Sequence, residues 1–264
     1  MSDNLLCAEN IVLNYPGLSR PAIDGVSMAV TPGRTLGIVG ESGSGKSSLA
    51  RCLLGLESLS SGRVLFEGND IRHFNAAAML QYRKKVQMVF QDPYNSLNPR
   101  MTVGEILGEM LRYHRMADTG NVKPEVEALL ISVGLSGNLF DRYPHELSGG
   151  QRQRVGIARA LSLKPLVVIA DEPVSALDVS IQAQLLNLLK KMVTETGITL
   201  IMIAHDLAVV RYVCVDVMVM KDGVVVESGT VENVIDQPRH AYTKSLLAAV
   251  PDIENPEAFL AGKQ

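Results

Sequence analysis

The chain has 264 residues, 47% hydrophobic and 20% charged, which is enough apolar mass for one large folded domain and too little charge for a disordered chain. A formal net charge of −3 gives no bulk attraction for nucleic acid, and none is expected as a partner. No apolar run approaches the roughly 18 residues of a membrane span, and Met1–Asn4 lacks the basic and apolar regions of a signal peptide. Contact with a membrane is therefore expected through a partner. The cysteines, Cys7, Cys52 and Cys214, form no C-x-x-C pair and read as free buried thiols of a reducing compartment.

In chain order, Val26, Met28 and Val30 alternate with Ser27 and Ala29, as in a strand with one buried face. Thr35–Val39 is a short apolar run that ends on a glycine-rich loop, and Ser47–Leu54 behind it reads as a helix. Val64 and Phe66 alternate between turn residues Gly62 and Gly68, and Val86–Phe90 reads as a buried strand. From Pro93 to about Ala160 the character changes: Val103–Tyr113 and Glu125–Val133 carry apolar residues at helical spacing. This predicts a helical insertion.

The α/β rhythm resumes with a strand over Leu166–Ala170, a helix over Ser180–Thr196 and a strand over Thr199–Ala204. Val215–Met220, Asp222-Gly223 and Val224–Val226 predict a hairpin, because Asp-Gly supplies the positive φ angles of a two-residue turn. A last helix is expected over Tyr242–Val250, closed by Pro251, with Pro238 ending the preceding helix and Thr243 capping or beginning the last one. The expected division is a domain over 1–235, interrupted by helices at about 93–160, and a helical tail over 236–264. Strands alternating with helices argue for a mostly parallel sheet covered on both faces, with ligands beyond the carboxyl ends of its strands.

Gly40-Glu41-Ser42-Gly43-Ser44-Gly45-Lys46-Ser47 satisfies G-x-x-x-x-G-K-[ST] between a predicted strand and a predicted helix. The glycines let the backbone turn tightly, so that N–H groups converge on phosphate oxygens at a helix N-terminus. Lys46 is expected to neutralise the β- and γ-phosphates, and the Ser47 hydroxyl to bind Mg²⁺. Leu166–Ala170 then delivers two carboxylates at its end. Asp171 is expected to face the magnesium and Glu172 the γ-phosphate, where a carboxylate orients and polarises the attacking water.

Leu147-Ser148-Gly149-Gly150-Gln151 places a serine and two glycines at the opening of a helix, a second anion-binding terminus. This string is the signature of the ABC transporter ATPases, and the chain resembles that family over about residues 5–250. The resemblance implies an α/β P-loop NTPase core of the RecA-like kind, with an N-terminal antiparallel β subdomain and an inserted helical subdomain carrying the signature. It also implies ATP and Mg²⁺ as ligands. Ser148, Gly149, Gly150 and Gln151 would close over the γ-phosphate held by a second ATPase subunit. By the same resemblance Tyr15 stacks on adenine, Gln91 senses Mg²⁺ and the membrane partner, and Asp178 in Ser175-Ala176-Leu177-Asp178 belongs to the loop coupling the two sites. His205 is the switch residue that contacts the γ-phosphate. Two positions depart from the usual pattern: Ser48 stands where threonine is common and keeps a hydroxyl for the α-phosphate, and Val174 stands where threonine is common and loses one.

Phe90-Gln91-Asp92-Pro93, then Ser96-Leu97-Asn98-Pro99, and the tail Gln237-Pro238-Arg239-His240-Ala241-Tyr242-Thr243-Lys244-Ser245-Leu246-Leu247 are similar to the importer ATPases for oligopeptides, dipeptides and nickel. That branch implies two membrane permease subunits, an external solute-binding protein and a place on the cytoplasmic face of the inner membrane. The segment near Tyr94–Leu97 would then receive the membrane subunit. Many members of that branch carry a longer, cysteine-containing tail, and the iron–sulfur cluster seen in relatives is not expected here. A translation or DNA-repair ATPase is the competing reading, but the chain has one phosphate loop and no sustained heptads. A nucleotide-binding regulator without turnover is argued against by Glu172, Gln91 and His205.

Overall fold

The computed structural model describes residues 4–92, 96–117, 120–175 and 177–249. Four strands, β1 (Leu6–Leu13), β2 (Ile23–Val30), β4 (Ser61–Phe66) and β5 (Asn69–Asp70), form an antiparallel sheet in the order β2-β1-β4-β5. Six more, β3 (Thr35–Val39), β6 (Val86–Val89), β7 (Val167–Asp171), β8 (Thr199–Ala204), β9 (Asp216–Lys221) and β10 (Val224–Thr230), form a second sheet in the order β10-β9-β3-β8-β7-β6. All of its neighbours run parallel except the β9–β10 hairpin. Asp222 and Gly223 turn that hairpin with φ of 50° and 83°, the pair of positive angles that Asp-Gly predicts.

The parallel strands are buried on both faces, so they read as continuous apolar runs. Their alternate residues divide between two cores. Val39, Val168, Ala170, Leu200 and Met202 face the helical side, whereas Ile38, Val167, Ile169, Ile201 and Ile203 face the antiparallel sheet. Helix α1 (Lys46–Leu53) packs in the second core through Leu49, Ala50, Cys52 and Leu53. Helix α2 (Ala76–Lys85) leads into β6, and the six-stranded sheet then gives way to α3 (Val103–Tyr113), α4 (Lys123–Ser132) and α5 (Gly149–Leu161). Among the described residues this stretch contains no strand. Its helices are defined by their starts: Thr102 and Glu105 close a capping box on α3, and Ser148 and Gln151 close another on α5.

Helix α6 (Val179–Thr196) ends at Gly197 in the left-handed conformation, and α7 (Leu207–Val213) follows β8. The last element among the described residues is α8 (Ala241–Ala248), which begins two residues before Thr243. The cap is His240, whose Nδ1 accepts the N–H of Tyr242 at 3.2 Å, and Thr243 is buried inside the helix. The three cysteines are free, with Cys52 and Cys214 buried and Cys7 half-buried, so the expectation of burial fails only for Cys7.

Three elements escaped the sequence pattern for physical reasons. Strand β1 buries Leu6 and Ala8 and then Ile11 and Leu13, with a register shift between that switches the parity of the buried face. Asn10 sits in the shift with φ of 48°, so strict alternation never develops. Helix α2 buries only Tyr82 and has no apolar stripe to read. Helix α7 is only seven residues long and almost wholly buried, which leaves no polar face to mark a period.

Candidate active site

The loop between β3 and α1 is forced into shape by steric crowding as much as by turn preference. A Cβ on Gly40 would lie 2.1 Å from the Met220 carbonyl oxygen, and one on Gly45 would lie 2.6 Å from that of Ala22. Both glycines have positive φ, 152° and 102°, and Gly45 caps α1 without a side chain. The result is a cleft of about 640 Å³ at the carboxyl end of the parallel sheet. Gly43, Gly45, Lys46, Ser47 and Ser48 form its floor, and Gln91, Glu172 and His205 face them. Its outer wall, Leu18–Ala22 with Asp222 and Gly223, had no functional signal in the sequence beyond the hairpin turn itself.

Lys46 is 5% exposed. Its Nζ donates to the carbonyls of Gly40 and Glu41 at 2.7 and 2.8 Å and approaches Ser44 Oγ at 3.5 Å. Burial holds its pKa below the usual lysine value, and the negative charges of Glu172 and Asp171 pull the other way. A buried ammonium held by loop carbonyls is well placed to exchange them for phosphate oxygens. Ser47 Oγ donates to Asp171 Oδ1 at 3.2 Å, joining the loop to the end of β7. Burial raises the Asp171 carboxyl pKa, while the Ser47 hydroxyl lowers it.

Glu172 follows with φ of 44°, a left-handed conformation that costs a non-glycine residue about 1–3 kcal/mol. Its N–H donates to the Ile203 carbonyl at 3.0 Å, which fixes the turn against β8. That turn swings the side chain out of the strand direction and into the cleft, beside the partners that follow. Gln91 Nε2 donates to Glu172 Oε2 at 2.9 Å, and His205 Nδ1 lies 3.9 Å from the same oxygen. The structure therefore brings Lys46, Ser47, Gln91, Asp171, Glu172 and His205 to one place.

Ser42, Gly43, Gly45 and Ser48 of the predicted loop line the same cleft, whereas Tyr15, Ser148, Gly149, Gly150, Gln151 and Asp178 do not. Tyr15 does not line the cleft; its hydroxyl donates to Glu57 at 2.9 Å and lies 3.5 Å from Ser48 Oγ, so it sits beside α1. Ser148, Gly149, Gly150 and Gln151 open α5 and do not line the cleft either. Ser148 Oγ accepts the Gln151 N–H at 3.3 Å while Gln151 Oε1 accepts the Ser148 N–H at 3.0 Å, so this terminus is capped from within. Gly150 has a second duty: a Cβ there would meet Ile181 Cγ2 at 2.6 Å, so α5 and α6 approach too closely for a larger residue. Asp178 caps α6 by position, without a side-chain hydrogen bond, and Ala176 of the same loop lies outside the described residues.

Val174, where a hydroxyl is absent, is 5% exposed in the helical core, an environment suited to the methyls it carries. In the segment after Gln91, Leu97 is 2% exposed and packs in that core, so it offers no surface to a partner. Pro93 and Tyr94 lie outside the described residues.

Comparison with known proteins agrees with this geometry. A family model described as ABC transporter matches residues 23–175, and one described as oligopeptide/dipeptide transporter, C-terminal region, matches residues 226–264. The chain is 52% identical over 237 residues to the oligopeptide transport ATP-binding protein OppF of Salmonella typhimurium, covering 89% of this chain and 71% of that one. It is 49% identical over 255 residues to OppF of Bacillus subtilis, covering 95% and 84%. Among solved structures, cbiO1 from Clostridium perfringens, part of the ABC transporter complex cbiONQ, superposes with a TM-score of 0.77 at 30% identity, covering 97% and 100%. A dimeric ATP-binding cassette in a post-hydrolysis state with ADP and Pi gives 0.77 at 28% identity, covering 86% and 98%. The chain belongs to the ABC transporter family, as one of its ATP-hydrolysing cassettes.

Proposed function

We propose that this chain drives the import of oligopeptides or dipeptides by binding and hydrolysing ATP in the cleft between the β3–α1 loop and the ends of β6, β7 and β8. The observation that carries the catalytic part is the convergence of Lys46, Ser47, Gln91, Asp171 and Glu172 there. Lys46 trades the Gly40 and Glu41 carbonyls for phosphate oxygens. Glu172 positions the attacking water and accepts its proton: Gln91 occupies Oε2, which leaves Oε1 for the water. His205, whose Nδ1 lies 3.9 Å from the same Oε2, is assigned to the γ-phosphate.

The hydroxyl of Ser47 and the carboxylate of Asp171, with the Gln91 amide in the same cleft, make an oxygen-donor set suited to a hard cation. These residues would hold Mg²⁺, which neutralises charge on the β- and γ-phosphates when bound.

The separation of Ser148–Gln151 from the cleft supports a sandwich, in which a second ABC ATPase supplies the signature to this chain's ATP. Tyr15 is assigned to the adenine, reached by exchange of its Glu57 contact, and Asp178 to the coupling between sites. Two membrane permease subunits and an external solute-binding protein complete the assembly, with this chain on the cytoplasmic face of the inner membrane. Among the described residues no helix is long and apolar enough to cross a membrane. We assign 1–235 to the cassette and 236–264 to the tail, and the family match over residues 226–264 supports a peptide over a related cargo such as nickel. The test is ATP hydrolysis by the purified chain with and without the membrane subunits and peptide-loaded binding protein. The reading predicts stimulation by the loaded binding protein. A rate indifferent to the membrane subunits would return the chain to the free ATPases.

A further inference from the structure

The tail carries a sequence motif that the catalytic account leaves unused, and the structure shows what it touches. Tyr242 is 7% exposed, and its phenolic oxygen accepts the backbone N–H of Glu41, inside the phosphate loop, at 3.0 Å. These residues are 201 apart in the chain. The ring is held from several sides. Lys221 Nζ lies 4.9 Å from its centroid, at the end of the strand that leads into the Asp222-Gly223 turn. His240 caps the helix on the Tyr242 N–H. The Glu227 carboxylate, from β10, accepts the N–H groups of Arg239 and His240 at 2.8 and 3.1 Å and so pins the helix start to the sheet. The hairpin reaches the same loop through Gly223, whose N–H donates to the Ser44 carbonyl at 3.1 Å.

We infer that Tyr242 is a positioning residue for ATP: the tail acts as a clamp that holds the phosphate loop in its anion-binding shape. The physical reason is local. The Gly40 and Glu41 carbonyls receive the Lys46 ammonium in the free protein, so the loop's first peptide units set where that ammonium starts. The Tyr242 oxygen fixes the Glu41 peptide from the opposite side. Without it, that N–H loses its partner and the loop spreads over other conformations, which lowers the fraction competent for nucleotide and weakens apparent affinity in proportion. Linkage makes the effect mutual: nucleotide on the loop must also tighten the tail. The inference rests on the reading of this loop as the ATP site.

The variant Tyr242→Phe keeps the ring, its burial and the Lys221 contact, and removes only the acceptor. ATP titration, steady-state hydrolysis and amide hydrogen exchange of the peptide containing Glu41 are compared with the wild-type chain. The inference predicts a Kd and KM for ATP raised about two- to tenfold, the range one hydrogen bond carries. It also predicts kcat within about twofold and faster exchange at Glu41. Glu227→Ala, distant from the cleft, loosens the helix start and should raise KM in the same direction while exchange in Arg239–Ala248 accelerates. It also serves if Tyr242→Phe does not fold. Unchanged KM and unchanged Glu41 exchange in a folded Tyr242→Phe chain would overturn the clamp, as would unchanged KM in Glu227→Ala with a loosened tail. Lys46→Ala separates the two readings: if it binds ATP normally, the loop is not the nucleotide site, and that reading fails rather than the clamp.

Discussion

Replacing Glu172 by glutamine tests the assignment of the water-positioning group with the least disturbance to the cleft. The amide has the size of the carboxylate, and its carbonyl oxygen still accepts from Gln91 Nε2, which sits 2.9 Å from Glu172 Oε2. The left-handed backbone at φ 44° is equally available to either residue. In the ground state the change weakens a charge-assisted hydrogen bond to a neutral one, about 1 kcal/mol, and touches none of the Lys46 contacts. In the transition state it removes the proton acceptor, an effect of about 10²–10⁴-fold, or about 3–5 kcal/mol. Phosphate release under saturating ATP should therefore fall by at least about a hundredfold, while a fluorescent ATP analogue binds within a few-fold of wild type. Turnover within about threefold of wild type would refute the assignment.

Four further outcomes follow from the same geometry. Lys46→Ala should lose nucleotide binding itself, read by the same analogue, because the buried ammonium is the loop's own cation. Burial raises the Asp171 carboxyl pKa, so the folded state holds that proton more tightly than the unfolded chain; the stability it contributes is complete below the ordinary carboxylate pKa and lost as pH rises through the raised value. At neutral pH Asp171→Asn should accordingly give a higher Tm in the nucleotide-free protein together with a loss of Mg²⁺-dependent hydrolysis, and a lowered Tm would contradict the burial argument. Gly150→Ala should cost about 1–3 kcal/mol by driving a methyl into Ile181, and Ile181→Ala should recover part of the lost Tm in the double variant. Mg-ATP should convert the Glu172→Gln chain, alone or with its partner cassette, from a monomer to a stable dimer in light scattering, and Ser148→Arg should prevent it.

Much of the site was legible because its chemistry sits on short contiguous strings. Gly40–Ser47 carries loop, cation and hydroxyl together, and β7 delivers Asp171 and Glu172 from a run of apolar residues buried on both faces. Three facts needed the folded chain. The wall at Leu18–Ala22 carries no motif to announce it and is formed where the chain passes from β1 to β2. Leu97 looked like a surface residue between two prolines, and only the packing of the inserted helices shows it buried. The link from Tyr242 to Glu41 joins an aromatic side chain to a backbone N–H, and a backbone donor has no residue identity to read. The fold was legible where strands are buried on both faces and fell short at β1, whose register shift breaks the alternation on which strand reading depends.

The central claim is that hydrolysis at Glu172 drives peptide import, and one measurement addresses it directly. The chain, its partner cassette and the membrane subunits are reconstituted in vesicles with the binding protein, and entry of a labelled oligopeptide is followed alongside phosphate release. With the wild-type chain, uptake should require Mg-ATP and rise with hydrolysis. With Glu172→Gln, the complex should assemble and bind ATP while uptake and phosphate release fall together. Peptide uptake that continues at the wild-type rate in the Glu172→Gln complex would contradict the account.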